Sequence, residues 1–154
     1  MFFPNKYLTL SLFLLFVLCS QSISAQQLTQ KYNDLLDRVE FYNANGMMVG
    51  YAKKNTLLDR MEYYDKYGKL IKTEKYNELL NRTETNDNYG RSQGYEMNNE
   101  LLDRKEGYDN HGKQKYTKKW NELLERYELY DNYGRMIGYY KWNGLLERWE
   151  YYER

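Results

Sequence analysis

From residue 32 onward, apolar and polar positions recur with a step of 22. Leucine pairs stand at 35–36, 57–58, 79–80, 101–102, 123–124 and 145–146. An arginine and a glutamate keep the same step: Arg38 and Glu40, Arg60 and Glu62, Arg82 and Glu84, Arg104 and Glu106, Arg126 and Glu128, Arg148 and Glu150. Asn33, Asn55, Asn77, Asn99, Asn121 and Asn143 precede the leucines, and Gly46, Gly68, Gly90, Gly112 and Gly134 complete the frame. An uninterrupted period of this length is the signature of one supersecondary unit repeated. Five full units and a half unit fill residues 32–154 as a single domain, behind a short lead-in at 26–31.

Within a unit the pattern predicts a β-hairpin. Leu124, Arg126, Glu128 and Tyr130 alternate as one face of a strand does. Asp131-Asn132-Tyr133-Gly134 has the residues of a turn, with glycine supplying the positive φ that closes it. Residues 135–142 then read as a return strand, and Asn143-Gly144 as the next hairpin turn. A competing reading makes Asn121 the cap of a helix and the chain a strand-plus-helix solenoid. Thr83-Glu84-Thr85-Asn86 and Gly107 are poor helix formers at that place and favour strands. The expected fold class is therefore all-β: an antiparallel hairpin meander of about eleven strands, forming an extended or curled sheet. Leucine, tyrosine and tryptophan columns are expected to bury one another across it. The Arg and Glu columns are expected to pair across strands as a structural ladder. The final half unit is expected to leave an edge strand open at Tyr152.

The first 25 residues differ from the rest. Lys6 is their one charge, residues 8–18 are almost wholly apolar, and residues 20–25 are small and polar. That layout predicts a secretory signal peptide cleaved after Ser24 or Ala25. The apolar run of eleven residues is about 16 Å long as a helix, too short for a bilayer core of roughly 30 Å, so no transmembrane segment is expected after cleavage. Cys19, the one cysteine, follows Leu18 rather than the small residue a lipidation signal wants. The chain has 23 basic and 22 acidic residues; without Lys6 each sign counts 22. A balanced charge provides no field to attract nucleic acid.

The segments Tyr64-Asp65-Lys66-Tyr67-Gly68-Lys69-Leu70, Tyr108-Asp109-Asn110-His111-Gly112-Lys113 and Tyr130-Asp131-Asn132-Tyr133-Gly134-Arg135-Met136 resemble the core of YD (Rhs-type) repeats. Their spacing and aromatics are also similar to MORN-like repeats of bacterial YwqK-family proteins. The resemblance runs from about Tyr32 to Arg154. It implies β-hairpin arrays and a bacterial source. Five units are too few to wind the closed shell of large Rhs proteins, and a leader peptide departs from a cytoplasmic antitoxin.

Candidate chemistry is sparse. His111 stands at a turn position held by Asn45, Tyr67, Tyr89 and Tyr133 in other units, so it reads as an exposed turn residue rather than a metal ligand. Each repeated glutamate sits two residues from an arginine, and a regular ladder offers no asymmetric catalytic pair. No catalytic residue, metal or other cofactor is expected, and the chain does not read as an enzyme. The aromatics Trp120, Tyr127, Tyr139, Tyr140, Trp142, Trp149, Tyr151 and Tyr152 cluster in the last two units and form the candidate binding surface. The expected role is an exported structural or protein-interaction scaffold with a protein partner in the cell envelope. A glycan-binding module and an exported immunity protein are the alternatives.

Overall fold

Each 22-residue unit folds as two strands, and alternate turns fall at opposite ends of them. A computed structural model describes residues 28–154. The expected signal peptide and Cys19 lie outside the described residues. Twelve strands follow in order: β1 (Leu28–Asn33), β2 (Arg38–Tyr42), β3 (Met48–Asn55), β4 (Arg60–Asp65), β5 (Leu70–Asn77), β6 (Arg82–Asp87), β7 (Ser92–Asn99), β8 (Arg104–Asp109), β9 (Gln114–Asn121), β10 (Arg126–Asp131), β11 (Met136–Asn143) and β12 (Arg148–Glu153). Every neighbour is antiparallel, and β12 pairs with β1, so the meander closes into a barrel. The all-β meander is thus as expected, curled until its ends meet. The one helical element among the described residues is a short 3-10 turn, Glu100–Leu102, so the solenoid alternative falls. No described helix is long and apolar enough to cross a membrane.

Closure corrects the expected open edge. β1 includes residues 28–31 of the lead-in and supplies the strand that the final half unit lacks. Leu28 faces Tyr151, Thr29 faces Glu150 and Gln30 faces Trp149. Between β4 and β5 the same register joins Lys72 to Tyr63, Thr73 to Glu62 and Glu74 to Met61. Thr29, Thr73 and Thr117 are 44 residues apart, as are Gly50, Gly94 and Gly138, and Tyr51, Tyr95 and Tyr139. The true period is therefore two hairpins, and three such four-stranded units close the ring.

Strand alternation separates an inner from an outer face. The inner face buries two apolar clusters: Val39, Phe41, Ala52 and Tyr63, and Leu28, Leu129, Tyr140 and Tyr151. Strands β5 to β9 line the rest with charge. Lys72 meets Glu74 at 2.7 Å, and the Tyr63 hydroxyl donates to Glu74 at 2.5 Å. Glu96 takes Lys105 at 3.3 Å, Lys118 at 3.8 Å and the Tyr116 hydroxyl at 3.0 Å. Burial lowers the Lys118 amine to about 8, with Glu96 opposing the shift. Small residues make room for rings: a Cβ at Gly107 would lie 2.1 Å from the Tyr116 ring.

The outer face carries the Arg–Glu ladder, but its pairs lie along one strand rather than across two. In the second unit Arg60 donates through Nε and Nη2 to Glu62 Oε1 at 2.9 and 2.7 Å, Asn55 Nδ2 donates to the same oxygen at 3.0 Å, and the Tyr64 hydroxyl donates to Oε2 at 2.5 Å. The same clamp holds Glu40, Glu106, Glu128 and Glu150. Asn86 stands where the tyrosine should be in the third unit. There the Glu84 side chain is 34% exposed, against 7% for Glu62. The phenol is thus what seals the carboxylate. Its hydrogen bond is the largest influence on Glu62, Glu106 and Glu128, and Arg and Asn add to it, so these carboxyls sit below their ordinary value of 4.5. Reciprocally, the Glu106 hydrogen bond first, and burial second, push the Tyr108 hydroxyl up to about 12.

Asn86→Tyr raises stability by about 1 kcal/mol and Tyr64→Phe lowers it by a similar amount, read from denaturant midpoints; no change in either variant would dismiss the clamp as a stabilising device. The pH profile should be a plateau with two flanks. Carboxyls lowered from 4.5 contribute fully above that value and lose their contribution as pH falls through their folded values. A phenol raised from 10.0 to about 12 contributes fully below 10.0 and loses its contribution as pH climbs toward 12. A midpoint that rises on either flank would contradict this linkage.

Candidate functional site

The Asn-x-Leu-Leu segments do not enter the sheet. They form the six turns at one end of the barrel, and their leucines point into solvent. Leu35, Leu57, Leu79, Leu101, Leu123 and Leu145 are each 91–92% exposed, and the six that follow them are 42–50% exposed. This reverses the expectation that the leucine columns are buried. The local reason is the turn. Each strand ends at the asparagine, whose Oδ1 accepts the backbone N–H of the second leucine at 3.0–3.1 Å. The residue after the leucines then takes a left-handed conformation: φ is 44° to 49° at Asp37, Asp59, Asn81, Asp103, Glu125 and Glu147. The chain reverses there, so in the last turn the left-handed residue is Glu147 rather than either residue of Asn143-Gly144. Side chains brace the bend: Tyr32 donates to Asp37, and Lys54 pairs with Asp59 at 2.9 Å.

Neighbouring leucine turns are two strands apart, roughly 10 Å. Twelve leucines at that spacing set exposed apolar side chains on every turn of this rim. Carboxylates share the ring. The turns hold Asp34, Asp37, Asp59, Glu78, Glu100, Asp103, Glu122, Glu125 and Glu147, all exposed, and no basic residue. Lys31, Lys53, Lys75, Lys119 and Lys141 stand exposed on the wall behind them.

The opposite rim is built from the Asp-x-x-Gly turns, as expected. Asp131 Oδ1 accepts the N–H groups of Tyr133 and Arg135 at 2.9 Å, Gly134 N donates to Asp131 O at 3.0 Å, and Gly134 has φ 78°. These aspartates are half-buried in their turns, while Lys66, Lys69, Arg91, Lys113 and Arg135 are exposed. Tyr67, Tyr89 and Tyr133 project at 83%, 76% and 76% exposure, with Lys66, Arg91 and Arg135 over their rings. His111 sits on this rim as an exposed turn residue, its N–H held by Asp109 at 3.0 Å. Among the described residues no cluster of three metal-ligating side chains occurs.

The eight aromatics singled out from the sequence do not share one surface. Tyr140 and Tyr151 are buried inside the barrel, 4.9 Å apart. Trp120, Tyr127, Trp142 and Trp149 also face inward, half-buried at the mouth below the leucine rim: Trp120 lies 4.7 Å from Tyr127, and Trp142 lies 5.6 Å from Trp149. Tyr139 and Tyr152 face outward and stack at 5.0 Å under Arg126. Equivalent pairs, Tyr51 with Tyr64 and Tyr95 with Tyr108, stand on the other two four-stranded units. The parity of the strands could have revealed this split; the exposed leucines could have been read from two adjacent leucines that no single strand face can hold.

No family model matches the chain, and no curated protein matches it. A crystal structure of a protein from Arabidopsis thaliana is similar in fold, with a TM-score of 0.64 at 11% identity, over 84% of this chain and 79% of that one.

The inside–outside assignment predicts a contrast. Leu57→Gln shifts the denaturation free energy by less than about 0.5 kcal/mol, whereas Phe41→Ala costs about 3–5 kcal/mol. Comparable losses in the two variants would mean that the leucine turns pack into the barrel.

Proposed function

We propose that this protein is an exported, non-enzymatic scaffold of the bacterial cell envelope that docks a protein partner through its leucine rim. The observation that carries the reading is the ring itself: twelve solvent-facing leucines held on six braced turns. Rigid turns lose little entropy on binding, so an apolar group presented on them is ready for contact. The leader-like first 25 residues support export, and the likeness to YD and MORN-like repeats supports a bacterial envelope setting.

The physics favours a protein over a lipid surface. Nine carboxylates stand level with the leucines, and burying ionised carboxylates in an apolar layer is costly. The barrel wall carries six Arg–Glu ion pairs, which suits water rather than hydrocarbon around the strands. A glycan surface needs open ring faces. The outer tyrosine pairs turn theirs toward each other and toward Arg38, Arg82 and Arg126.

The test is affinity capture from the cell envelope with the intact rim and with Leu57→Gln, Leu101→Gln and Leu145→Gln combined. A specific protein held by the first and released by the second is the expected result. Recovery of the same proteins by both would remove the leucine rim from the function.

A further inference from the structure

We propose that the occupant of the leucine rim is the opposite rim of a second copy, so that barrels stack head to tail along their axis. This rests on reading the leucine rim as a docking surface, and names what docks there.

Charge complementarity points to the occupant. The leucine turns expose nine acids and no base. The opposite turns hold their aspartates half-buried; Arg91 and Arg135 pair with Asp87 and Asp131 of their own turns at 2.7 Å, while Lys66, Lys69 and Lys113 stand exposed. Placed rim to rim in this order, cations meet carboxylates. Two leucine rims facing each other would instead oppose one ring of nine acids to another, a like-charge contact that disfavours the head-to-head dimer.

The contact also matches in chemistry and geometry. Tyr67, Tyr89 and Tyr133 offer exposed rings to the leucines, and tyrosine is among the residues that carry most interface energy. Both rims belong to the same closed sheet, so they share one circumference and one spacing, two strands per turn. Six leucine turns face five Asx turns and one position where β12 ends and β1 begins. The two sets of turns are offset by one strand, so a copy displaced along the axis and rotated by that step meets its neighbour turn for turn. Because the two surfaces differ, each bound copy leaves one rim of each kind free, and the contact propagates as an open stack rather than closing.

Sedimentation velocity on the full chain and two variants decides the matter. The head variant carries Leu57→Gln, Leu101→Gln and Leu145→Gln; the tail variant carries Lys66→Glu, Lys69→Glu and Lys113→Glu. All six side chains lie exposed on turns, and matching circular-dichroism melts confirm that the variants fold. The intact protein should form species that lengthen with concentration. Each variant alone should sediment as a single chain, its half-assembly concentration raised at least about tenfold. Mixed together, they should form two-chain particles and nothing longer, since one intact head meets one intact tail. An intact protein that stays single at every concentration overturns the stack. So does a mixture that stays single, or flotation of the intact protein with neutral phosphatidylcholine vesicles in place of self-association. If the intact protein stays single while the head variant still loses its envelope partner, self-assembly fails and the docking reading survives.

Discussion

The pairing of β1 with β12 is the constraint on which the molecule depends. Twelve hydrogen-bonded strands with a free edge at each side would present two rows of unpaired backbone groups, open to any other strand. Closure removes both rows and encloses the inner face. It also converts the turns into two rings. A leucine at a hairpin tip is a scattered apolar group on an open sheet; on a closed barrel six tips face one way. The seam itself is short: three residue pairs join β1 to β12, against six between β11 and β12. Its register repeats that of β4 with β5, so the same Thr–Glu facing that operates inside the repeat also closes it.

Inside this frame the two faces solve different problems. The inner face is close-packed by rings lying over glycines, and its buried charges in β5 to β9 face one another: Lys72 with Glu74, Lys105 and Lys118 with Glu96. Such pairs return their desolvation cost only when the geometry is good and hydroxyls fill the remaining lone pairs, as Tyr63 and Tyr116 do here. The outer face has no enclosing layer, and there each glutamate is covered by side chains of its own hairpin. The third unit shows how local this cover is: with Asn86 in place of tyrosine, Glu84 opens to solvent while its neighbours stay sealed.

Much of the fold was legible in the sequence. The step of 22 gave the hairpins, and Asp-x-x-Gly gave one set of turns with its positive φ at glycine. Two things were harder to see. The step of 44 marked by Thr29, Thr73 and Thr117 places the lead-in inside the repeat and implies twelve strands, but it is carried by small residues that hydrophobic pattern reading passes over. The leucines were misplaced for a physical reason. Apolar character predicts burial on average, yet it says nothing about a residue that turn chemistry on both sides forces out of the strand. Asparagine before and an acidic residue after each leucine pair are that chemistry. The helix-like signal at Asn121 was real as well, but it describes one capped turn rather than a helix. The candidate aromatics cluster in sequence, but they alternate between the two faces through β9 to β12 and so do not form one surface.

The turn acids support the proposed reading of the leucine rim as a docking surface. A left-handed conformation costs a non-glycine residue roughly 1–2 kcal/mol, and glycine would hold the same φ without it. Aspartate and asparagine tolerate that region better than most; glutamate at 125 and 147 has no such allowance. In five of six turns the strained position nevertheless bears a carboxylate, and no turn bears a base. Glycine at these sites would relieve the backbone but would lose the contacts of Tyr32 with Asp37, Lys54 with Asp59 and Tyr76 with Asn81. A rim of leucines without charge would bind its own kind face to face. Placing the acid at the strained position makes the apolar ring repel its own image while leaving it attractive to a cationic surface. The backbone energy stored in the turns is thus tied to which partner the leucines can accept.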